Sequence, residues 1–229
     1  LAFGLPMLQR LAQHKGRGLV LLPTRELAVQ VDESIKKVGA SIGLRTAVLI
    51  GGVPMGGQLH SLRNAPHVII ATPGRLLDHM EQGSLRLSDL KILVLDEADR
   101  MLDMGFAPQL KRIFESIPAD RQTMLFSATM PTDIIQIARK YMKQPTQVEI
   151  ARQGTTAEGV TQELYIVRKE EKLRLISKIL QENRGSTLIF SRTKHGARKL
   201  TRSIRVLGHT AAEIHSDRSL NQRKEALAG

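Results

Sequence analysis

The sequence predicts an α/β protein, with parallel sheets covered by helices on both faces and two tandem domains, the second incomplete. Three observations carry this. Short apolar runs of strand length alternate with amphipathic segments of helical length. The runs are Val-, Ile- and Leu-rich from end to end, which marks strands buried on both faces of a parallel sheet. The alternation breaks once, at a small, polar, Gly/Thr-rich stretch, and then resumes.

Each element follows from its residues. Gly18–Leu22, Thr46–Ile50, His67–Ala71, Ile92–Leu95 and Thr123–Phe126 are β-branched or Leu-rich and bounded by Gly, Pro or polar residues, so they read as strands. Between them, Glu26–Val38, Gln58–Arg63, Arg75–Glu81, Phe106–Ile117 and Asp133–Tyr141 read as helices. Residues 1–150 form the first predicted domain and 151–159 (ARQGTTAEG) a linker. Residues 160–229 open a second domain with strands at Val160–Val167, Ser186–Phe190 and Thr210–Ile214 and helices at Glu170–Gln181 and His195–Val206.

Composition narrows the function. The 229 residues contain no cysteine, which excludes a disulfide scaffold, Cys-ligated zinc, an iron–sulfur cluster and thiol catalysis. No stretch approaches the roughly 20 apolar residues that span a bilayer. There is no Trp, and aromatics are 3% of the chain, too few for base stacking to be the main binding mode. The net charge is +12, and residues 151–229 carry 16 Lys+Arg against 8 Asp+Glu. Such a surface attracts polyanions, although a solvated basic face kept for solubility has the same composition.

In a parallel sheet, chemistry collects where strands end. Val94-Leu95-Asp96-Glu97-Ala98-Asp99 places three carboxylates just after an apolar strand. An Asp there suits Mg²⁺ on a nucleoside triphosphate, and the next residue, Glu97, suits orientation of an attacking water. The competing reading is an acidic helix cap. Pro23-Thr24-Arg25 and Thr72-Pro73-Gly74-Arg75 end two other strands at helix starts, where backbone N–H groups and an Arg suit phosphates contacted without reading sequence, and where ordinary helix capping is an equal reading. Gly51-Gly52 permits close backbone approach, or is simply a tight turn. Ser127-Ala128-Thr129 supplies two hydroxyls that reach the acidic cluster if the two strands are neighbours, and otherwise caps a helix. Leu188–Lys194 is an apolar run ending in polar and basic residues, followed by His215-Ser216-Asp217 and Gln222-Arg223.

The ordered set PTRELA, GG, TPGR, DEAD, SAT, linker and LIFSRTK resembles the DEAD-box RNA helicases of superfamily 2, ATP-dependent enzymes of two tandem RecA-like domains. The resemblance covers essentially the whole chain, and DEADRMLDMGF and RQTMLFSATMP look most like bacterial RhlE-type members. It implies that Asp96 coordinates Mg²⁺ through ATP, that Glu97 positions the hydrolytic water, and that Asp99 links to Ser127 and Thr129 and couples nucleotide state to RNA strain. Pro23, Thr24, Arg25, Gly52, Thr72, Pro73, Gly74 and Arg75 would touch the RNA backbone, with Thr193 doing so from the second domain. Phe190 would support Arg223 near the domain interface. Leu220 stands where the family has the Gln of a Gln-x-x-Arg element.

The resemblance also implies cytoplasmic RNA substrates, with ribosomal or degradosome-type particles as partners. The family's Gly-x-Gly-Lys-Thr phosphate loop precedes a segment like Leu1–Pro6, and no Gly-Lys dipeptide occurs here. The expectation is therefore an internal fragment, inactive in isolation, without the upstream adenine-reading motif or the downstream arginine fingers. The alternative is a complete, non-catalytic RNA-binding scaffold. A nicotinamide enzyme is excluded, since no Gly-x-Gly-x-x-Gly turn follows the first strand. A DNA translocase of the same superfamily stays open.

Overall fold

The computed structural model describes residues 2–13, 15–149, 159–183 and 185–228. The chain divides into two compact units, Leu1–Gln153 and Gly154–Gly229. The expected linker residues 151–158 lie outside the described residues.

The first unit is built on one five-stranded sheet: β1 (Arg17–Leu21), β2 (Thr46–Leu49), β3 (Val68–Ala71), β4 (Leu90–Leu95) and β5 (Gln122–Leu125). All pairs are parallel, in the order β2-β3-β1-β4-β5. The five expected strands are present, each within two residues at either end. Around them run α1 (Gly4–Gln13), α2 (Arg25–Gly39), α3 (Met55–Arg63), α4 (Pro73–Glu81), α5 (Ala98–Asp103), α6 (Ala107–Glu115) and α7 (Thr132–Tyr141). Sequence reasoning missed α1, although Met7, Leu8 and Leu11 repeat at helical spacing. It also left the short α5 unassigned.

The central strands are apolar throughout because both faces are covered. Leu19, Leu21, Ile69, Leu93 and Leu95 pack with Leu76 of α4, Met101 of α5, Ile113 of α6 and Ile134 of α7. The alternate residues face the other way: a side chain at Gly18 would collide with the Met7 sulfur of α1 at 2.9 Å. Alternation of side chains along a strand thus supplies two cores from one sheet.

In the second unit, α8 (Lys172–Glu182), α9 (Lys194–Val206) and α10 (Leu220–Ala228) form. The three expected strands do not: the described residues of Val160–Val167, Ser186–Phe190 and Thr210–Ile214 hold no paired strand. A strand exists only through its ladder, and these runs have no hydrogen-bonded neighbour among the described residues. Their apolar side chains stay outside, with Leu164, Ile166 and Phe190 each about 90% exposed (89%, 93% and 89%). The start of α10 uses a different signal. Ser219 and Gln222 exchange hydrogen bonds as a capping box, with Oε1 of Gln222 accepting from Ser219 N–H at 3.0 Å and Oγ of Ser219 accepting from Gln222 N–H at 3.3 Å.

Candidate functional site

Parallel strands all end on the same edge, so every motif after a strand arrives at one rim. The ladder runs up to them: Leu22 N–H donates to Ala71 C=O, Thr72 N–H to Leu49 C=O, Asp96 N–H to Leu21 C=O, and Phe126 N–H to Leu95 C=O, at 2.8–3.1 Å. The order along the rim differs from the order in the chain. The loops after β2, β3 and β1 (Gly51-Gly52, Thr72–Arg75, Pro23–Arg25) are contiguous. The loops after β4 and β5 (Asp96–Asp99, Ser127–Thr129) form the other half.

On the acidic half, β4 and β5 are neighbours, so the condition for the hydroxyls to reach the carboxylates is met. Asp99 accepts from Thr129 N–H at 2.9 Å, from the Thr129 hydroxyl at 2.7 Å and from Arg100 N–H at 3.0 Å. The Ser127 hydroxyl oxygen accepts from Asp99 N–H at 3.2 Å and donates to Thr129 C=O at 2.7 Å. Ser127 and Thr129 therefore tie the loop after β5 to the first turn of α5, with Ser127 accepting from one of that turn's free N–H groups. Partial burial raises the Asp99 pKa, but the Thr129, Arg100 and Ser127 hydrogen bonds outweigh it and hold the carboxyl below its ordinary value. A depressed folded-state pKa contributes stability above the ordinary carboxylate range, lost as pH falls through the folded value. Asp99→Asn is expected to cost about 1–2 kcal/mol at neutral pH and to flatten the acid limb of thermal unfolding followed from pH 7 to about 2. An unchanged acid limb would remove Asp99 from this role.

Asp96 differs. Burial pushes its carboxyl above the usual range, and its Oδ1 accepts from Glu97 N–H at 3.1 Å. A carboxylate disfavoured by burial gains from a nearby cation. No group of three or more His, Cys, Asp or Glu that could hold a metal occurs among the described residues. A cavity of about 160 Å³ lined by Phe3, Leu5, Leu8 and Ile35 reaches Asp96.

Glu97 stands at the N-cap of α5 with φ +50° and ψ +51°, a left-handed conformation unusual for a non-Gly residue. Its side chain makes no capping bond. Its carboxylate is 44% exposed and lies 3.9 Å from Arg100. Strain without a local structural return is a pointer to function. Capping does not account for this pair.

On the other half, Thr24 caps α2, its hydroxyl accepting from Leu27 N–H at 3.3 Å. The Arg25 guanidinium packs against Gly51 and Gly52: a Cβ at Gly52, where φ is +71°, would lie 2.0 Å from Nη1. Thr72 precedes α4 with no capping bond from its side chain, and Pro73 starts the helix. A Cβ on Gly74 would meet nothing within 4 Å, so the fold does not require a glycine there and its backbone is open to close approach. Arg75 is turned inward: its side chain is 14% exposed, donates to Val53 C=O at 2.9 Å and pairs with Asp78 at 3.4 Å.

In the second unit, Thr193 caps α9, accepting from Gly196 N–H at 3.0 Å. Beside it, Lys194 and Arg198 pair with Asp217 at 2.8 and 3.4 Å, so part of the local positive charge is neutralised internally. Phe190 projects from the surface of this unit, and Arg223 lies on α10. Gln58 and His79 are buried polar residues beside the turn after β2 that sequence reasoning missed; no linear pattern marks a polar side chain that will be buried.

A parallel sheet whose rim joins a half-buried Asp to a hydroxyl-bridged acidic cluster, beside two helix starts, defines a RecA-like α/β domain. Residues 1–137 match the family model described as DEAD/DEAH box helicase. The chain belongs to the DEAD/DEAH box helicase family. It is 40% identical over 217 residues to the ATP-dependent RNA helicase DbpA of Bacillus subtilis, covering 93% of this chain and 45% of the relative. It is 37% identical over 229 residues to the DEAD-box ATP-dependent RNA helicase CshA of Bacillus licheniformis, covering 99% and 47%. Among solved structures, a DEAD box protein from the hyperthermophile Methanococcus jannaschii matches with a TM-score of 0.62 and 32% identity, over 99% of this chain and 61% of that one. The chain thus spans about half the length of the curated relatives it matches.

Proposed function

We propose that this chain carries the ATP-hydrolysing and RNA-gripping rim of an RNA helicase. The observation that carries the reading is the bonding of Asp99 to Thr129 and Ser127, next to Asp96 and Glu97 on one edge. In this reading Asp96 holds Mg²⁺ on ATP; the ion supplies neutralisation of phosphate charge. Glu97 orients the water and accepts its proton. The Asp99 bridge makes the end of β5 respond to what sits at the end of β4. Pro23, Thr24, Gly52, Thr72, Pro73 and Gly74 present backbone and hydroxyl groups to RNA phosphates and sugars, with Arg25 and Arg75 fixing the shape of those loops, and Thr193 adds a contact from the second unit. Phe190 and Arg223 belong to the same machinery. Contacts of this kind track the backbone and tolerate any sequence. The names of the relatives support ATP and RNA as ligands, and the basic balance of +12 suits a polyanion such as RNA; a cytoplasmic location and ribosomal or degradosome-type partners follow the family resemblance alone. The RhlE-type likeness rests on DEADRMLDMGF and RQTMLFSATMP.

No Gly-Lys dipeptide occurs in the 229 residues, so the lysine of a phosphate loop is not supplied by them. We expect no measurable RNA-stimulated ATP turnover by this chain alone, and robust turnover with strand displacement by the complete gene product, in a coupled phosphate-release assay. Turnover by the 229 residues that disappears in Glu97→Gln would contradict the first expectation. A complete product that binds RNA and never hydrolyses ATP would favour the scaffold reading.

A further inference from the structure

Behind the rim, a buried polar chain joins the loop after β2 to helices α3 and α4. Gln58 of α3 is 5% exposed and His79 of α4 is fully buried. The Gln58 amide nitrogen donates to Ile50 C=O at 3.1 Å and to Val53 C=O at 3.4 Å. Its Oε1 faces His79 Nε2 at 3.3 Å, and His79 Nδ1 lies 2.9 Å from the Ser84 hydroxyl. Because Gln58 commits its nitrogen to carbonyls, its oxygen is the acceptor toward Nε2–H of the neutral ring, and the one Ser84 hydroxyl proton is shared between Nδ1 and the His79 carbonyl, each 2.9 Å away. Burial, reinforced by Arg75, lowers the His79 pKa and favours that neutral form. The Val53 carbonyl also receives the Arg75 guanidinium. The turn carrying Gly51-Gly52 and the helix start carrying Thr72–Arg75 are thereby tied at one carbonyl and through one relay.

A core could be filled more cheaply by apolar side chains, since buried polar groups cost stability unless every bond is made. We propose that Gln58 and His79 are positioning residues that hold the Gly51–Val53 turn and the first turn of α4 as one preorganised RNA-backbone clamp. The inference rests on the RNA reading of those loops. Preorganisation removes the ordering cost from binding, so loosening the relay weakens RNA affinity while leaving the groups that touch phosphate in place.

The test measures binding of this chain to a labelled poly(U) strand across a salt series. Gln58→Met and His79→Phe fill the same space without the hydrogen bonds. Each is expected to weaken binding about tenfold, the loss of roughly one buried hydrogen bond of organisation. The slope of log affinity against log salt should not change, because no phosphate contact is removed. His79→Gln restores a donor toward Gln58 and should recover most of the loss. Affinities equal to wild type, or no recovery in His79→Gln, would overturn the proposal; a changed slope would show direct contact instead. Should a variant fail to fold, amide hydrogen exchange of the wild-type chain decides. Residues 50–58 and 72–79 exchange with a common opening free energy if they are one unit, and with unrelated ones if they are not. Wild-type chain that shows common opening and no RNA binding would remove the RNA reading itself and, with it, the clamp.

Discussion

In the complete gene product, Glu97→Gln is expected to lower RNA-stimulated ATP turnover by about 10²–10⁴-fold, the usual worth of a positioned general base. The fold should survive this change. The Glu97 carboxylate is 44% exposed, makes no capping bond and lies 3.9 Å from Arg100. The substitution keeps shape and removes the base. RNA and nucleotide binding should persist, because neither Asp96 nor the loops after β1, β2 and β3 are altered. Turnover, nucleotide affinity and thermal unfolding measured on the same samples separate the cases. Lost turnover with intact binding and melting supports the role. Retained turnover would transfer the base to another group, and lost melting would make Glu97 a structural residue.

Gly52→Val should lower stability by about 2 kcal/mol and weaken RNA binding by more than tenfold. Two costs add here. At φ +71° a β-branched residue is strained. Its Cβ would also lie 2.0 Å from Nη1 of Arg25, forcing that guanidinium off the turn. The second cost is separable by a double-mutant cycle. Gly52→Ala should cost less in an Arg25→Ala background than in wild type, since the clash is gone and only the backbone strain remains. Equal costs in both backgrounds would show that Arg25 does not pack against the glycines in solution.

Much of this could be read in the sequence because its signals are local. Apolar runs such as those in His67–Ala71 and Ile92–Leu95 read as strands covered on both faces, and both form them. The motifs sit at strand ends, and parallel strands bring such ends to one edge whatever their order. The order itself was hidden. That β5 lies beside β4, and β3 between β2 and β1, depends on packing distant segments, and the Asp99–Thr129 bridge follows from it. Arg75 was read as a phosphate contact from its type, yet its guanidinium serves the Val53 carbonyl. Gln58 and His79 carry no periodic or motif signal; they matter because tertiary packing buries them next to the same turn. In the second unit, Leu188-Ile189-Phe190 has the composition of a strand and no partner among the described residues, so composition alone did not make one.

The central claim is that one rim serves both ATP and RNA. It is tested most directly by the affinity of the complete gene product for poly(U) RNA, with and without a non-hydrolysable ATP analogue and Mg²⁺. Bound nucleotide that favours the RNA-gripping state must raise RNA affinity, and RNA must raise nucleotide affinity by the same factor. The predicted result is tighter RNA binding with the analogue, abolished by Asp99→Ala. RNA affinity indifferent to nucleotide in the wild-type protein would contradict the account and leave an RNA-binding scaffold in its place.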